Sequence, residues 1–314
     1  MNTLALLCAA ATLAAAIPAF TAPAFAAPAS PAASTTQPAR FSVIVEGNGP
    51  DVILIPGLAS PRSVWDGVRG ELVRHYRVHL VQIRGFGEPG GANLSGPVLD
   101  PFVEELAAYI AANRLDHPRV VGHSLGGLAA LELATRHPGV TGPLMIVDSL
   151  PFIGLLFSPA ATVAMVTPQA GMMRDAMLGR AAAAPQDLTT PMPDCSAAIA
   201  TSAPATVPGM SNTPRGNCLV DAWGKQADQR VVAQAMYDDF TADIRPDLGK
   251  LTVPVTLLYP QGDAGRADAL YRGAYAGVGA MTYVPVSDSA HFIMLDQPAV
   301  FAAALAAFLA KPAR

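Results

Sequence analysis

Short, nearly continuous apolar runs alternate along this chain with longer stretches in which apolar residues recur every three or four positions. The short runs have strand character: Phe41 to Val45, Asp51 to Ile55, Arg77 to Ile83, the Val120-Val121 pair, Leu144 to Val147, Val253 to Tyr259 and Met281 to Val286. Several are apolar at almost every position rather than every second one, as strands buried on both faces of a parallel sheet are. Helical spacing runs over Ser63 to Tyr76, Pro101 to Asn113, Leu128 to Ala134, Ala267 to Ala276 and Gln297 to Ala310. In the first of these, Val64, Trp65, Val68, Leu72 and Val73 share one face. This alternation predicts an α/β fold, a mostly parallel sheet covered by helices on both faces. It stops at Pro151 and resumes near residue 246. Residues 151–245 are rich in Met, Ala and Pro, with helical patches over Ala170 to Leu178 and Asp228 to Phe240. They are expected to form an inserted, mainly helical cap on a core made of 41–150 and 246–314.

The first forty residues stand outside this pattern. Met1 to Ile17 is an apolar, alanine-rich run, followed by the small-x-small triplet Ala24-Phe25-Ala26. Residues 1–26 therefore read as a secretory signal cut near Ala26, although no Lys or Arg precedes the run, and 27–40 as a flexible lead-in. The chain that remains would be periplasmic or secreted. Export gives the cysteines a meaning: Cys8 leaves with the signal, and the pair Cys195 and Cys218 favours a disulfide in an oxidising compartment. No later stretch is apolar for long enough to span a membrane. A net charge of −4 with only 14% charged residues offers no basic footprint for nucleic acid, so small-molecule chemistry is the default.

That chemistry centres on Gly122-His123-Ser124-Leu125-Gly126, where a strand runs in, a helix runs out and a serine stands at the turn. Side chains two residues to either side would collide in so sharp a turn, and Gly122 and Gly126 occupy those positions. A serine hydroxyl is a weak nucleophile at neutral pH and needs a histidine to take its proton and a carboxylate to hold that histidine's tautomer. Of six histidines, His75 and His79 flank a helix-to-strand junction, His117 and His137 precede prolines, and His123 is the turn's own neighbour. These five read as surface or packing residues. His291 stands apart, in a loop after the last strand.

Taken with Ile55-Pro56-Gly57-Leu58 and with His291-Phe292 before Gln297-Pro298, the turn resembles that of the α/β-hydrolase family over Phe41 to Ala310, the cap excepted. The resemblance implies Ser124 as nucleophile, His291 as general base and an acid between them in the chain. Most members carry the acid after the strand that corresponds to Val255 to Tyr259, which points to Asp263. Gly262-Asp263 is also a tight turn suited to aiming a carboxylate. A minority take it from the preceding strand, which would be Asp148. The resemblance further implies an oxyanion hole from the backbone N–H groups of Leu58 and Leu125, although Pro56 replaces a common histidine. Gln82 stands where relatives often carry aspartate, and Arg84 and Gly85 are expected to brace the core. A serine in this turn argues against epoxide opening and dehalogenation, which use aspartate there.

The cap is expected to set the substrate, with Phe152, Phe157 and Trp223 as pocket candidates and Met165, Met172, Met173 and Met177 as adaptable apolar lining, unless these residues simply pack the cap on the core. No ordered acidic set suggests a metal and no glycine-rich loop has nucleotide spacing, so no cofactor is expected. The reading that results is an exported serine hydrolase cleaving a modest-sized, apolar ester, thioester or lactone through an acyl-enzyme. The same triad supports acyl transfer, peracid formation, or hydrolysis of amide and carbon–carbon bonds. A ligand-binding protein without catalysis is the remaining reading.

Overall fold

The apolar runs pair into one seven-stranded sheet. A computed structural model describes residues 38–181, 186–196 and 209–311. The expected signal, 1–26, and the lead-in as far as residue 37 lie outside the described residues. In chain order the strands are β1 (Phe41–Glu46), β2 (Asp51–Ile55), β3 (Arg77–Ile83), β4 (Arg119–His123), β5 (Leu144–Val147), β6 (Val255–Pro260) and β7 (Met281–Val286). They lie side by side as β1-β3-β2-β4-β5-β6-β7, with every pair parallel except β1 against β3. The inner strands β3, β2, β4, β5 and β6 are buried almost end to end, whereas β1 and β7 at the edges are not.

Burial of the inner strands follows from alternation between two cores. Ile53, Ile55, Val120, Leu144, Ile146, Leu257 and Tyr259 face one core, shared with Phe102, Leu106, Leu128 and Leu131. Val52, Leu54, Val121, Met145, Val147 and Leu258 face the other, with Trp65, Phe301 and Phe308. Helices α2 (Leu99–Ala112) and α3 (Leu125–Arg136) cover the first face, α1 (Asp66–Leu72) and α9 (Pro298–Leu309) the second. Two layers of helix thus remove the sheet from water on both sides, as an apolar parallel sheet demands.

Between β5 and β6 the chain leaves the sheet to form the helical cap: α4 (Val163–Ala181), α5 (Pro214–Gln226) and α6 (Gln229–Thr241). The loop after β3 anchors it. The Asp228 N–H donates to Gly85 O at 2.7 Å, and Phe86 forms a lone antiparallel bridge with Ala227. Gly85 has φ +98°, and a Cβ there would meet Val231 at 2.7 Å, so only glycine lets α6 approach. Farther along α6, Asp238 accepts the N–H groups of Val98 (2.6 Å) and Leu99 (3.1 Å) at the start of α2. Cys195 and Cys218 are joined by a disulfide. The end of the lead-in belongs to the folded body: Arg40 donates to Asn93 Oδ1 (3.1 Å) and Pro97 O (2.9 Å), and its N–H to Glu105 (3.0 Å).

Helix α7 (Ala264–Ala274) follows β6, and the four-residue α8 (Ile293–Asp296) follows β7. Among the described residues no helix is long and apolar enough to cross a membrane. The tightest backbone packing lies at the end of β4, where a Cβ on Gly122 would sit 2.2 Å from Gly126 O. Gly122→Ala is therefore expected to destabilise the protein by about 3 kcal/mol or more, since backbone cannot yield as a side chain does. Gly224→Ala, in open space on α5, should be neutral or stabilising by up to ~1 kcal/mol. Thermal unfolding of the two variants beside the wild type checks the contrast.

Candidate active site

Ser124 occupies the junction of β4 and α3 with φ 53° and ψ −124°, a conformation in which an L residue is strained. Its N–H donates to Val147 O on β5 at 3.0 Å, and its carbonyl accepts from Gly127 (2.7 Å) and Leu128 (3.1 Å), opening α3. The flanking glycines are required by contact: Gly122 abuts Gly126, and a Cβ on Gly126 would lie 2.4 Å from Ile55 O. The loop after β2 reaches the same point, since a Cβ on Gly57 would sit 2.9 Å from His123 Nδ1 and 3.0 Å from the Ser124 Cβ. Pro56 leads into a turn closed by the Ser60 N–H on Gly57 O at 3.2 Å, which carries Leu58. Leu125 is the first residue of α3, so its N–H has no acceptor within the helix.

His291 lines the same cavity as Ser124. Its Nδ1 pairs with Asp148 Oδ2 at 2.6 Å, so Nδ1 carries the proton and the other ring nitrogen, Nε2, keeps its lone pair. Asp148 Oδ1 accepts the Tyr271 hydroxyl, whose pKa burial and the Asp148 charge both raise, so that it remains a donor. A second link runs through His123, which is fully buried and donates from Nε2 to His291 O at 3.0 Å. Burial, with His291 beside it, holds the His123 pKa well below the usual histidine range, so this ring is neutral. Asp296 completes the loop: Oδ2 accepts the Ala290 N–H (2.8 Å) and Oδ1 the Asn212 N–H (3.0 Å), tying the His291 loop to the segment that precedes α5.

Asp263, expected as the orienting acid, is not the residue beside His291. It is exposed at the N-cap of α7, where its carbonyl accepts from Arg266 and Ala267 at 3.0 Å. The two aspartates leave the sheet at different strands. β5 neighbours β4, so Asp148 follows the strand next to the nucleophile, whereas Asp263 follows β6, one strand farther out. The tight turn anticipated at Gly262, with φ 46°, is present but starts a helix.

Of the expected pocket residues, none lines the cavity at Ser124, and Phe157 lines a neighbouring one. Phe152 is fully buried under the Arg245 guanidinium, 4.5 Å from its ring, in a small core with Ala161 and Val166. Phe157 is 67% exposed beside Phe240, and Trp223 is buried against Phe292. Met165, Met172 and Met173 are exposed, and Met177 packs on the main core. The cavity at Ser124, about 140 Å³, is walled instead by Leu150, Ile153, Leu156, Tyr271 and Asp239. Leu156 also borders a larger cavity of about 660 Å³ with Phe157, Leu270, Arg245 and Arg266. Three site residues are given no role in the site by the sequence: His123, read there as a surface or packing residue, Tyr271 and Asp239. Tyr271 and Tyr275, one helical turn apart in a chain with seven tyrosines, were a usable signal for the second of them. Among the described residues no group of three or more His, Cys, Asp or Glu is placed to hold a metal ion.

A family model described as the alpha/beta hydrolase family matches residues 52–304. A pimeloyl-[acyl-carrier protein] methyl ester esterase of Aeromonas hydrophila subsp. hydrophila is 40% identical over 113 residues, 35% of this chain and 43% of that relative. The chain thus spans less than half the length of that relative. Among solved structures, a thermophilic esterase from Thermogutta terrifontis superposes with a TM-score of 0.65 at 20% identity, covering 86% of this chain and 92% of that one. An enol-lactonase from Burkholderia xenovorans LB400 does so with a TM-score of 0.62 at 18% identity, covering 86% and 96%. Likeness at these identities speaks for the fold.

Replacing Asp148 by Asn would leave His291 without the carboxylate that holds its tautomer, a loss on the order of 10⁴-fold in kcat in comparable triads. Asp263→Asn should change kcat by less than about threefold, as an exposed substitution does. Steady-state hydrolysis of a nitrophenyl ester by the two variants measures both.

Proposed function

Because the chain belongs to the α/β-hydrolase family, we propose that it is a serine esterase that opens modest-sized, apolar carboxylic esters or lactones through an acyl-enzyme on Ser124. The observation that carries this reading is the His291–Asp148 pair at 2.6 Å beside a serine held at φ 53°. Ser124 Oγ attacks the carbonyl carbon while His291 Nε2 takes the hydroxyl proton and Asp148 stabilises the imidazolium that forms. Among the described residues no hydrogen bond joins Ser124 to His291, and the mechanism requires that contact in the substrate complex. Charge on the former carbonyl oxygen is received by the N–H groups of Leu58 and Leu125, the latter aided by the N-terminal field of α3. Collapse expels the alcohol, which takes the proton from His291. Water activated by the same ring then cleaves the acyl-enzyme and restores the serine.

The narrow cavity at Ser124 and the wider one beyond Leu156 suit a substrate with a compact reacting end and a longer apolar arm. Methyl esters and lactones, named for the similar proteins, are the first substrates to try. The reading includes export: a leader over 1–26 would bring the chain to a compartment where the Cys195–Cys218 disulfide persists.

A fluorophosphonate probe should label the wild type once and Ser124→Ala not at all. In a series of nitrophenyl esters, kcat/KM should rise with acyl length until the arm fills the space past Leu156. Well-folded wild type that takes no label would remove the esterase reading.

A further inference from the structure

A carboxyl that the acyl-enzyme cycle does not use faces the nucleophile. Asp239, on α6 of the cap, lines the cavity of about 140 Å³ together with Ser124, Asp148 and His291. It is half-buried, and among the described residues it has neither a hydrogen-bond nor an ion-pair partner. Its place is imposed by its neighbour. Asp238 is held by the N–H groups of Val98 and Leu99 and by Gln234 Nε2 at 2.7 Å, which locks the rotation of α6 and turns the next side chain toward Ser124.

Of the two carboxylates that line the cavity, Asp148 is already engaged. Both Asp148 oxygens are taken, one by His291 and one by Tyr271. The side chains of Leu150, Ile153 and Leu156 offer no polar group, Ser149 adds a neutral hydroxyl, and His291 Nε2 serves the Ser124 proton, so Asp239 is the carboxylate left to meet a donor. Burial pushes the Asp239 carboxyl up to about 7, against the pull of His291 and with the push of Asp238, as expected where its charge has no partner.

We propose that Asp239 determines substrate specificity: it selects esters carrying a hydroxyl or similar hydrogen-bond donor near the scissile carbonyl and rejects those carrying a carboxylate there. The inference rests on the esterase reading of Ser124. A donor on the substrate supplies the partner that Asp239 lacks in the free protein. A carboxylate in the same place sets two like charges together in a desolvated cavity. The acid released by hydrolysis meets the same repulsion, which favours its departure.

The test uses the full-length enzyme and three nitrophenyl esters with short acyl chains of equal length, ending in methyl, hydroxyl or carboxylate. kcat/KM is measured from pH 6 to 8.5, corrected for spontaneous hydrolysis, for wild type, Asp239→Asn and Asp239→Leu. At pH 8 the wild type should prefer the hydroxyl ester to the carboxylate ester on the order of 100-fold, a ratio that shrinks toward pH 6 as Asp239 gains its proton. In both variants the ratio should fall below about tenfold and lose most of its pH dependence. The groups that act on Asp239 are Asp148, Tyr271 and His291 in the cavity, its neighbour Asp238, and Glu132 on α3, which burial raises to about 7. They persist in the variants, so any pH dependence of the ratio that they cause persists too. Variants that still take the fluorophosphonate label but keep the wild-type ratio would overturn the proposal. So would a wild-type ratio that is flat across the pH range or favours the carboxylate ester, a result that needs no variant. Hydrolysis of none of the three esters by wild type would overturn the esterase reading and this inference together, which separates that failure from a failure of Asp239 alone.

Discussion

The strained backbone of Ser124 is the feature on which the site depends. A residue at φ 53° between a strand and a helix is held only if its surroundings permit no alternative. Here three backbone segments close on it: the end of β4, the first turn of α3 and the loop after β2. Gly122, Gly126 and Gly57 are the points of nearest approach, and each contact is with backbone or with the site's own side chains. The central place of β4 in the sheet supplies the rest, since its neighbours on both sides are buried strands. A rigid sheet centre is thereby turned into a projecting hydroxyl.

The remaining groups reach Ser124 by strand order and by loop stitching. Val147 O accepts the Ser124 N–H, and the next residue, Asp148, is the carboxylate that holds His291. His291 arrives from beyond β7, far from β4 in the sheet, and its loop is therefore held from several directions: by His123 from below, by Asp148 at its ring, and by Asp296 through Ala290. Asp296 and Phe292 also bond to residues 210–212 at the base of α5, so the histidine loop and the cap share a foundation. Movement of the cap at that end would be felt at His291.

The fold was legible in the chain, and Ser124 and His291 could be singled out in it, because each rests on a local rule. Buried parallel strands read as apolar runs, and the nucleophile turn needs glycine at two fixed offsets. The acid reads as Asp263, with Asp148 as the alternative, because two aspartates follow two successive strands, and only the contact of Asp148 with His291 at 2.6 Å tells them apart. The pocket was only partly legible for a related reason. Phe152 looked like a substrate contact but is fully buried in a cap core, and the groups that do face Ser124 include Asp239, whose orientation follows from a hydrogen bond between Asp238 and α2. Contacts between segments 140 residues apart leave no periodic trace.

The identity of the orienting acid is the central claim, and it has a direct spectroscopic reading that does not depend on turnover. A proton shared between His291 Nδ1 and a carboxylate at 2.6 Å gives a proton NMR resonance far downfield of the amides. Spectra of the wild type, Asp148→Asn and Asp263→Asn would be compared near neutral pH. The resonance should persist in Asp263→Asn and disappear in Asp148→Asn. Its loss in Asp263→Asn with retention in Asp148→Asn would contradict the arrangement described here.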